Sequence, residues 1–267
     1  MTNKDVVAGL GEIGSPILQL ISKAVPVVGY DINEKLMDIK KFKKYEKLET
    51  RFLHVCIPFT KNFVSNIISL YKKFVPNGIV IHSTISPDTT TKLQSKLPIP
   101  IIYSATRGVH KRMLYDLKRY TKFYAVEPSA RRANWAASSY EELMKKCGVK
   151  TKRMSKPIAL ELAKIVVDTS YYGWLITYAQ LSNMIALENK VNYDEMWSFA
   201  DEIHKFLGNR PKMFPGFIGG HCVIPNLDLI HNQTLDLIKK LNTVYVNKIK
   251  NAKSVAKKYQ SRKRSKN

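Results

Sequence analysis

The chain has 267 residues, of which 45% are hydrophobic, and its formal net charge is +23. This length allows about two domains that each bury a core, and no apolar run approaches the ~18 residues of a membrane span. Three cysteines without paired spacing (Cys56, Cys147 and Cys222) argue against a disulfide framework and a zinc cluster, and favour a reducing cytoplasm. The first residues lead straight into an apolar segment, so we expect no signal peptide.

Basic residues are spread through the whole chain and are not grouped with aromatic side chains. This pattern predicts a solvated basic surface and argues against specific nucleic-acid binding. No membrane partner is expected, because no apolar run is long enough to span a bilayer. Only the end is a continuous basic block, because no acidic residue follows Asp236. We therefore assign residues 247–267 to a basic tail, helical or disordered.

The chain opens with a strand, a glycine-rich turn, a helix and a second strand. The strands are predicted at 5–8 and 25–30, with the helix between them at 16–23. Gly9 permits a tight turn, Gly11 lets a pyrophosphate approach backbone amides, and Gly14 allows close packing of helix and strand. Asp31, at the end of the second strand, can accept both ribose hydroxyls and would repel a 2′-phosphate. The unit therefore predicts binding of NAD rather than NADP.

The alternation of strands and helices continues to about residue 126. Further strands are predicted at 51–57, 78–82, 99–103 and 122–126, with helices at 63–74 and 89–97. Strands separated by helices predict a parallel sheet, in which ligands bind beyond the carboxyl ends of the strands. Pro58, Ser83 and Thr84 follow two of these ends, so we place them beside the cofactor. Simple strand termination would also explain them.

Helical patterns dominate the second half. Helices are predicted at 131–146, 158–189, 193–207 and 227–259, and Pro157 suits the first turn of the second one. Glu161, Lys164 and Asp168 recur at i, i+3 and i+7, which places them on one face of an α-helix. A solvated ion-pair face is the simpler explanation of this spacing. We assign residues 1–150 to a dinucleotide-binding domain and residues 151–246 to an all-helical domain.

Residues 214–226 are predicted to form a shaped loop, because they contain three glycines and two prolines. Gly219 and Gly220 allow the backbone to approach a ligand, and Cys222 follows them closely. A thiol on a glycine-rich loop suits covalent chemistry on a carbonyl group. The alternative is that Cys222 is a small buried core residue, as most free cysteines are.

Over residues 4–226 the chain resembles the nucleotide-sugar 6-dehydrogenases of the UDP-glucose and GDP-mannose dehydrogenase type. Five motifs carry the resemblance in the same order: Gly9-x-Gly11-x-x-Gly14 with Asp31, Val55-Cys56-Ile57-Pro58, Ser83-Thr84, Glu161-Leu162-Ala163-Lys164, and Pro215-Gly216-x-x-Gly219-Gly220-His221-Cys222. The resemblance implies an α/β fold, with a Rossmann-type parallel-sheet domain followed by an all-helical dimerisation domain, and hence a homodimer. It also implies a truncated form, because the family has a third, nucleotide-binding domain after this point.

The activity that the resemblance implies is oxidation of a nucleotide-sugar primary alcohol to the uronate with two NAD. Cys222 would form a thiohemiacetal and then a thioester, Lys164 would stabilise oxyanions, and Thr84 would hold the cofactor or a water. The expected site residues are Thr84, Lys164, Asp168 and Cys222 for catalysis; Gly9, Gly11, Ile13, Gly14, Asp31, Pro58, Ser83 and Thr84 for the cofactor; and Arg210, Phe214, Gly216, Gly219 and Gly220 for a UDP- or GDP-linked substrate. No metal is expected.

The chain also departs from the family at several positions. Ser104–Arg107 replace a loop that holds a glutamate, Asp168 stands in place of an asparagine, and Ile224 and Asn226 stand in place of proline and aspartate. Two alternatives therefore stay open. One is a two-electron β-hydroxyacid-type dehydrogenase that uses Lys164, a family that Ser83-Thr84-Ile85-Ser86-Pro87 also resembles. The other is a non-catalytic NAD-binding remnant.

Overall fold

The structure, a computed structural model, describes residues 3–220 and 222–264, with side chains up to residue 251. The chain divides into two compact units, Met1–Lys164 and Ile165–Asn267. All strands of the described residues belong to the first unit, and the regular elements of the second are helical. This arrangement confirms the predicted fold class, a Rossmann-type sheet followed by a helical region.

The first unit is built on a single sheet. Its strands are β1 (Asn3–Ala8), β2 (Val27–Tyr30), β3 (Glu49–Val55), β4 (Gly78–Ile81), β5 (Ile101–Tyr103), β6 (Lys122–Val126) and β7 (Thr151–Arg153), in the order β2-β1-β3-β4-β5-β6-β7. Its helices are α1 (Gly14–Ile21), α2 (Ile39–Lys44), α3 (Phe63–Phe74), α4 (Thr89–Gln94), α5 (Met113–Arg119), α6 (Ala133–Lys146) and α7 (Pro157–Leu162).

The predicted parallel sheet is confirmed with one exception. β1 to β5 pair in parallel, as do β6 and β7, but β5 and β6 are antiparallel, with Tyr103 opposite Ala125. A parallel crossover must carry the chain back to the opposite edge, usually through a long helix. Residues 104–121 contain the short helix α5, which packs beside α1, and the chain then re-enters the sheet from the carboxyl edge of β5. Lys122, the first residue of β6, therefore lies beside the end of β5.

Alternate residues of the strands pack on opposite faces of the sheet. On one face, Val7 and Tyr124 belong to a cluster that α1, α5 and α6 cover. On the other face, Val6 and Leu53 belong to a cluster covered by α3, α4 and α7. The apolar strands are thus buried on both sides, as expected for a mainly parallel sheet. β7 was not predicted, because its polar residues are largely exposed and carry no apolar pattern.

The second unit contains α8 (Tyr171–Glu188), α9 (Tyr193–Leu207), α10 (Ile224–Leu227) and α11 (Gln233–Arg264). α8 packs against α9 and α11. The predicted basic tail continues α11 as far as Arg264, and residues 265–267 lie outside the described residues. Within the described part of the chain, no helix combines the length and the apolar character needed to cross a membrane.

Candidate functional site

The glycine-rich turn between β1 and α1 is shaped by two glycines that leave no room for a side chain. Gly9 has a φ of +88°, and a Cβ on it would lie 2.8 Å from the carbonyl oxygen of Cys56. A Cβ on Gly14 would lie 1.6 Å from the carbonyl oxygen of Gly9. Gly11 differs, because a Cβ there would meet no atom within 4 Å. The turn therefore leaves open space over Gly11, near the positive end of α1, which suits a pyrophosphate.

Asp31 follows β2 and is held beside this turn. Its Oδ2 accepts a hydrogen bond from the Leu10 N–H (2.7 Å), and its Oδ1 accepts one from the Asn33 N–H (2.9 Å). Each carboxylate oxygen retains a lone pair for a further donor, so ribose hydroxyls can still bind. Ile13 is partly buried against the core next to α1, which gives it a packing role in the turn.

The carboxyl ends of β1, β3 and β4 lie side by side. The Cys56 N–H donates to the Ala8 carbonyl oxygen (2.8 Å), and the Ser83 hydroxyl donates to the Ile57 carbonyl oxygen (2.6 Å). The predicted cofactor residues at this edge are Pro58, which is exposed, and Ser83 and Thr84, which are half-buried. The structure thus brings them to the same edge of the sheet as the glycine turn.

The helical segment that carries Lys164 is π-helical. Residues Ala163–Ser170 form this segment, between α7 and α8. The α-helical spacing that placed Glu161, Lys164 and Asp168 on one face does not apply, because a π-helix bonds residue i to i+5. Glu161 is fully buried, Lys164 is half-buried and Asp168 is exposed. π-Helical turns occur frequently at functional sites, so the location of Lys164 and Asp168 agrees with the roles predicted for them.

Glu161 has a structural role. Its Oε2 accepts a hydrogen bond from the Asp88 N–H (2.6 Å), and its Oε1 accepts bonds from the N–H (3.0 Å) and hydroxyl (2.6 Å) of Thr90. Burial raises the pKa of Glu161, although these bonds oppose the shift. The carboxyl group therefore fastens α7 to the start of α4.

The loop before Cys222 lacks regular secondary structure, and its main-chain groups are bonded by side chains from three helices. The Tyr193 hydroxyl donates to the Met213 carbonyl oxygen (2.7 Å), and the Tyr245 hydroxyl donates to the Pro215 carbonyl oxygen. The Gln180 side-chain amide donates to the Gly216 carbonyl oxygen (2.7 Å). We call Gln180, Tyr193, Asn242 and Tyr245 the loop clamp. Because a buried irregular backbone must find partners for its polar groups, the clamp fixes the path of this loop.

Asn242 on α11 makes the two central bonds of the loop clamp. Its Oδ1 accepts a hydrogen bond from the Ile218 N–H (2.9 Å), and its Nδ2 donates to the Ile218 carbonyl oxygen (3.1 Å). The Gln180 Nε2 donates to the same Oδ1 (2.9 Å). Asn242 and Ile218 are both buried, so these bonds satisfy groups that water does not reach.

Replacing Asn242 with leucine is expected to lower the free energy of unfolding by about 1–3 kcal/mol for each main-chain group left unpaired. Asn242→Asp should also destabilise, because its second carboxylate oxygen would face the Ile218 carbonyl oxygen in a buried position. Asn247→Leu, at an exposed position of the same helix, is the matched control. Denaturant unfolding and hydrogen exchange of the Ile218 amide measure the effect. Equal stabilities for the 242 and 247 leucine variants would contradict the assignment.

Cys222 is exposed, whereas Cys147 is buried and Cys56 is partly buried. The interpretation of Cys222 as a buried core residue is therefore wrong. Burial raises the pKa of the Cys56 thiol to about 12 and that of Cys147 to about 11, so both stay protonated at neutral pH. On either side of Cys222, Ile218 and Val223 are buried in one hydrophobic cluster. Gly219, Gly220 and Cys222 are thus exposed between two anchored residues.

The other predicted substrate residues lie on the same loop. Arg210 and Phe214 are exposed, and the Arg210 N–H donates to His204 Nδ1 (3.0 Å). Gly219 and Gly220 are exposed, and Gly220 has a φ of +75°. His221 lies outside the described residues. These positions keep their substrate role as a prediction.

Two groups of residues were missed by the sequence analysis. One is the loop clamp, for which the signal was an asparagine on the apolar face of α11, between Ile238 and Tyr245 at helical spacing. The other is Lys122, which is buried at the carboxyl edge of the sheet. Its position depends on the antiparallel entry of β6, for which the local sequence offers no signal.

No protein-family model and no curated protein sequence matches the chain. Among solved structures, a UDP-N-acetyl-mannosamine dehydrogenase from Staphylococcus aureus matches with a TM-score of 0.72 and 20% identity, over 96% of this chain and 71% of that one. A UDP-D-ManNAc dehydrogenase from Pyrococcus horikoshii matches with a TM-score of 0.69 and 17% identity, over 91% and 68%. The chain shares their fold.

A 3-hydroxyisobutyrate dehydrogenase from Mycobacterium tuberculosis has a TM-score of 0.63 and 13% identity, over 92% of this chain and 94% of that one. At such low identities the likeness establishes the fold alone. The chain thus has the same overall fold as these three proteins over 91–96% of its length.

Proposed function

We propose that the protein oxidises the primary alcohol of a UDP- or GDP-linked sugar to the uronate, with NAD as hydride acceptor and Cys222 as nucleophile. The observation that carries the proposal is the exposed Cys222 thiol on a clamped glycine-rich loop. It occurs in a chain that also has an open dinucleotide turn at Gly11. A cysteine thiol can capture an aldehyde covalently, and a nicotinamide cofactor can oxidise the adduct.

The residues present fit a dinucleotide. Open space over Gly11 accommodates a pyrophosphate at the helix N-terminus, and the fixed Asp31 carboxylate accepts ribose hydroxyls. Its negative charge disfavours a 2′-phosphate, which supports NAD over NADP. Ser83 and Thr84, at the end of β4, stand on the same edge and complete the proposed cofactor contacts. When bound, NAD would accept one hydride, so the two oxidations would use two NAD in succession.

The proposed reaction proceeds in two oxidations. Loss of a hydride and a proton converts the alcohol to an aldehyde, whose carbonyl carbon the Cys222 sulfur attacks to form a thiohemiacetal. Loss of a second hydride and of the hydroxyl proton gives the thioester, which water cleaves to the carboxylate and the free thiol. The Lys164 ammonium stabilises the oxyanions, Thr84 holds the cofactor or a water, and Asp168 lies four residues beyond Lys164 on the same π-helical segment.

Incubating the protein with NAD and a panel of UDP- and GDP-sugars tests this proposal. We expect two NADH for each uronate formed by one member of the panel. Turnover of small 3-hydroxy acids with one NADH per molecule, and none with sugar nucleotides, would favour the two-electron β-hydroxyacid reaction instead. Binding of NAD without reduction by any substrate of either type would indicate a non-catalytic protein.

We also propose a homodimer in the cytoplasm, formed through the second unit. Large apolar side chains are exposed there on α8 and α9, including Tyr178, Phe199 (84% exposed) and Phe206 (81% exposed). Many large apolar side chains exposed on neighbouring helices are typical of an interface. Light scattering should give twice the chain mass, and Phe199→Glu together with Phe206→Glu should give the mass of one chain. A wild-type mass of 30.6 kDa would contradict dimerisation.

A further inference from the structure

Lys122 is a buried lysine at the edge of the sheet where the cofactor residues gather. It is the first residue of β6, and because β6 runs antiparallel to β5, it lies beside Ser104, just past the carboxyl end of β5. Cys56 and Ser83 follow β3 and β4 at the same edge. Only 5% of Lys122 is exposed. A lysine is seldom buried in this way without a carboxylate partner.

The partners of the Lys122 amine are neutral. Its Nζ donates to the Ser104 carbonyl oxygen (3.1 Å) and to the Thr106 hydroxyl (3.4 Å). Burial chiefly, together with the positive charges of Arg107 and Lys164, lowers the pKa of Lys122 to about 7 against an opposing effect of Cys56. At neutral pH the amine is therefore divided between its charged and uncharged forms, and the uncharged form has a lone pair that can accept a proton.

Other ionisable groups surround this amine. Four of them interact with its charge: Cys56 after β3, His82 after β4, Arg107 after β5 and Lys164 after α7. Asp116 on α5 and Tyr120 after it line the same cavity, and the Tyr140 hydroxyl on α6 donates to the neighbouring Ser104 hydroxyl oxygen. Burial, helped by the charge of Lys122, lowers the pKa of His82 well below its usual value, so His82 is neutral. The Asp116 Oδ2 accepts hydrogen bonds from the Val109 N–H (2.9 Å) and Arg112 Nε (3.1 Å), and its buried Oδ1 has no hydrogen-bond partner within the described residues. The hydrogen-bond partners of the Lys122 amine are neutral groups, so they do not hold it in its charged form.

We propose that the uncharged Lys122 amine takes up, through the Thr106 hydroxyl, the proton that alcohol oxidation releases. The inference rests on the proposed function. The alcohol carbon gives its hydride to NAD, and the alcohol O–H gives its proton to the Thr106 oxygen. The Thr106 hydroxyl passes its own proton to Lys122 Nζ, so an amine and an alcohol become an ammonium and an aldehyde. The ammonium loses its proton to solvent before the next oxidation.

A first test compares the pH dependence of turnover in Lys122→Met, Lys122→Arg and the wild type. We expect wild-type turnover to rise with pH through a midpoint near 7. Both variants should lose this rise and about 10²-fold in kcat, the usual contribution of a general base. Lys118→Met, at an exposed position on α5, is the control and should behave as the wild type. An unchanged pH midpoint in the variants would overturn the proposal.

A second test needs neither cofactor nor substrate. Because the Lys122 pKa is lower in the folded state than the value of about 10.4 in an unfolded chain, the unfolded state binds more protons between these values. This contribution to stability is complete when the pH is above the pKa of Lys122 in the unfolded chain. It is lost as the pH falls toward 7, the pKa in the folded state. We therefore expect the difference between the urea midpoints of the wild type and Lys122→Met to change in favour of the wild type from pH 7 to pH 10.

The two tests separate the failure of this inference from the failure of the proposed function. A parallel pH dependence of the urea midpoints in wild type and Lys122→Met would show an ordinary lysine and overturn the inference alone. If Lys122→Met does not fold, Lys122→Arg gives the same comparison, since its guanidinium stays charged throughout. Absence of any NAD-dependent oxidation by the wild type would overturn the proposed function and this inference together.

Discussion

Replacing Gly14 with alanine should destabilise the first unit by about 3 kcal/mol or more, the upper range for inserting atoms into a packed site. The added Cβ would lie 1.6 Å from the Gly9 carbonyl oxygen, and backbone atoms cannot rotate away as a side chain can. Either α1 or the turn must move, and both pack against β1 and β2. Urea unfolding followed by circular dichroism measures the loss. A stability equal to that of the wild type would contradict the described turn.

Gly11→Ala is the matched control for this variant, because it adds the same methyl group where nothing lies within 4 Å. Its stability should stay within about 1 kcal/mol of the wild type. However, the methyl group would occupy the space proposed for the pyrophosphate, so NAD affinity should fall at least about tenfold, or ~1.4 kcal/mol. Calorimetric titration with NAD measures this loss. Wild-type affinity in Gly11→Ala would place the dinucleotide elsewhere.

Replacing Cys222 with alanine should abolish uronate formation, with a loss of at least ~10³-fold, as is usual when a catalytic nucleophile is removed. Without the thiol, neither the thiohemiacetal nor the thioester can form, and oxidation should stop at the aldehyde after one NADH. Mass spectrometry of the products distinguishes aldehyde from uronate, and the NADH yield per substrate gives the number of oxidations.

Cys147→Ala is the control for this experiment, because Cys147 is a buried thiol at the end of α6. It should reduce stability slightly and leave the product ratio unchanged. Full uronate formation by Cys222→Ala would exclude the covalent route. If wild type and Cys222→Ala both release one NADH from a small hydroxy acid, the two-electron reaction that uses Lys164 is the better account.

The sequence by itself determined the local units of this protein. The spacing of Gly9, Gly11 and Gly14 between an apolar strand and a helix predicts the dinucleotide turn, because the whole pattern lies within a few consecutive residues. The alternation of apolar strands and amphipathic helices predicts the layered sheet for the same reason. The irregular loop before Cys222 was also predicted, since glycine and proline disfavour both regular structures.

Tertiary structure alone decided the features that depend on residues distant along the chain. β6 runs antiparallel to β5, and this direction buries Lys122 beside Ser104. The sequence pattern near residue 122 does not predict the direction of β6. Asn242 pairs with Ile218 across 24 residues, and Glu161 pairs with Thr90 across 71. Such pairs carry no periodic signal, because they form only once packing has removed water from both partners. Sequence periodicity specifies which side chains face a core, and the packed fold specifies which polar groups meet there.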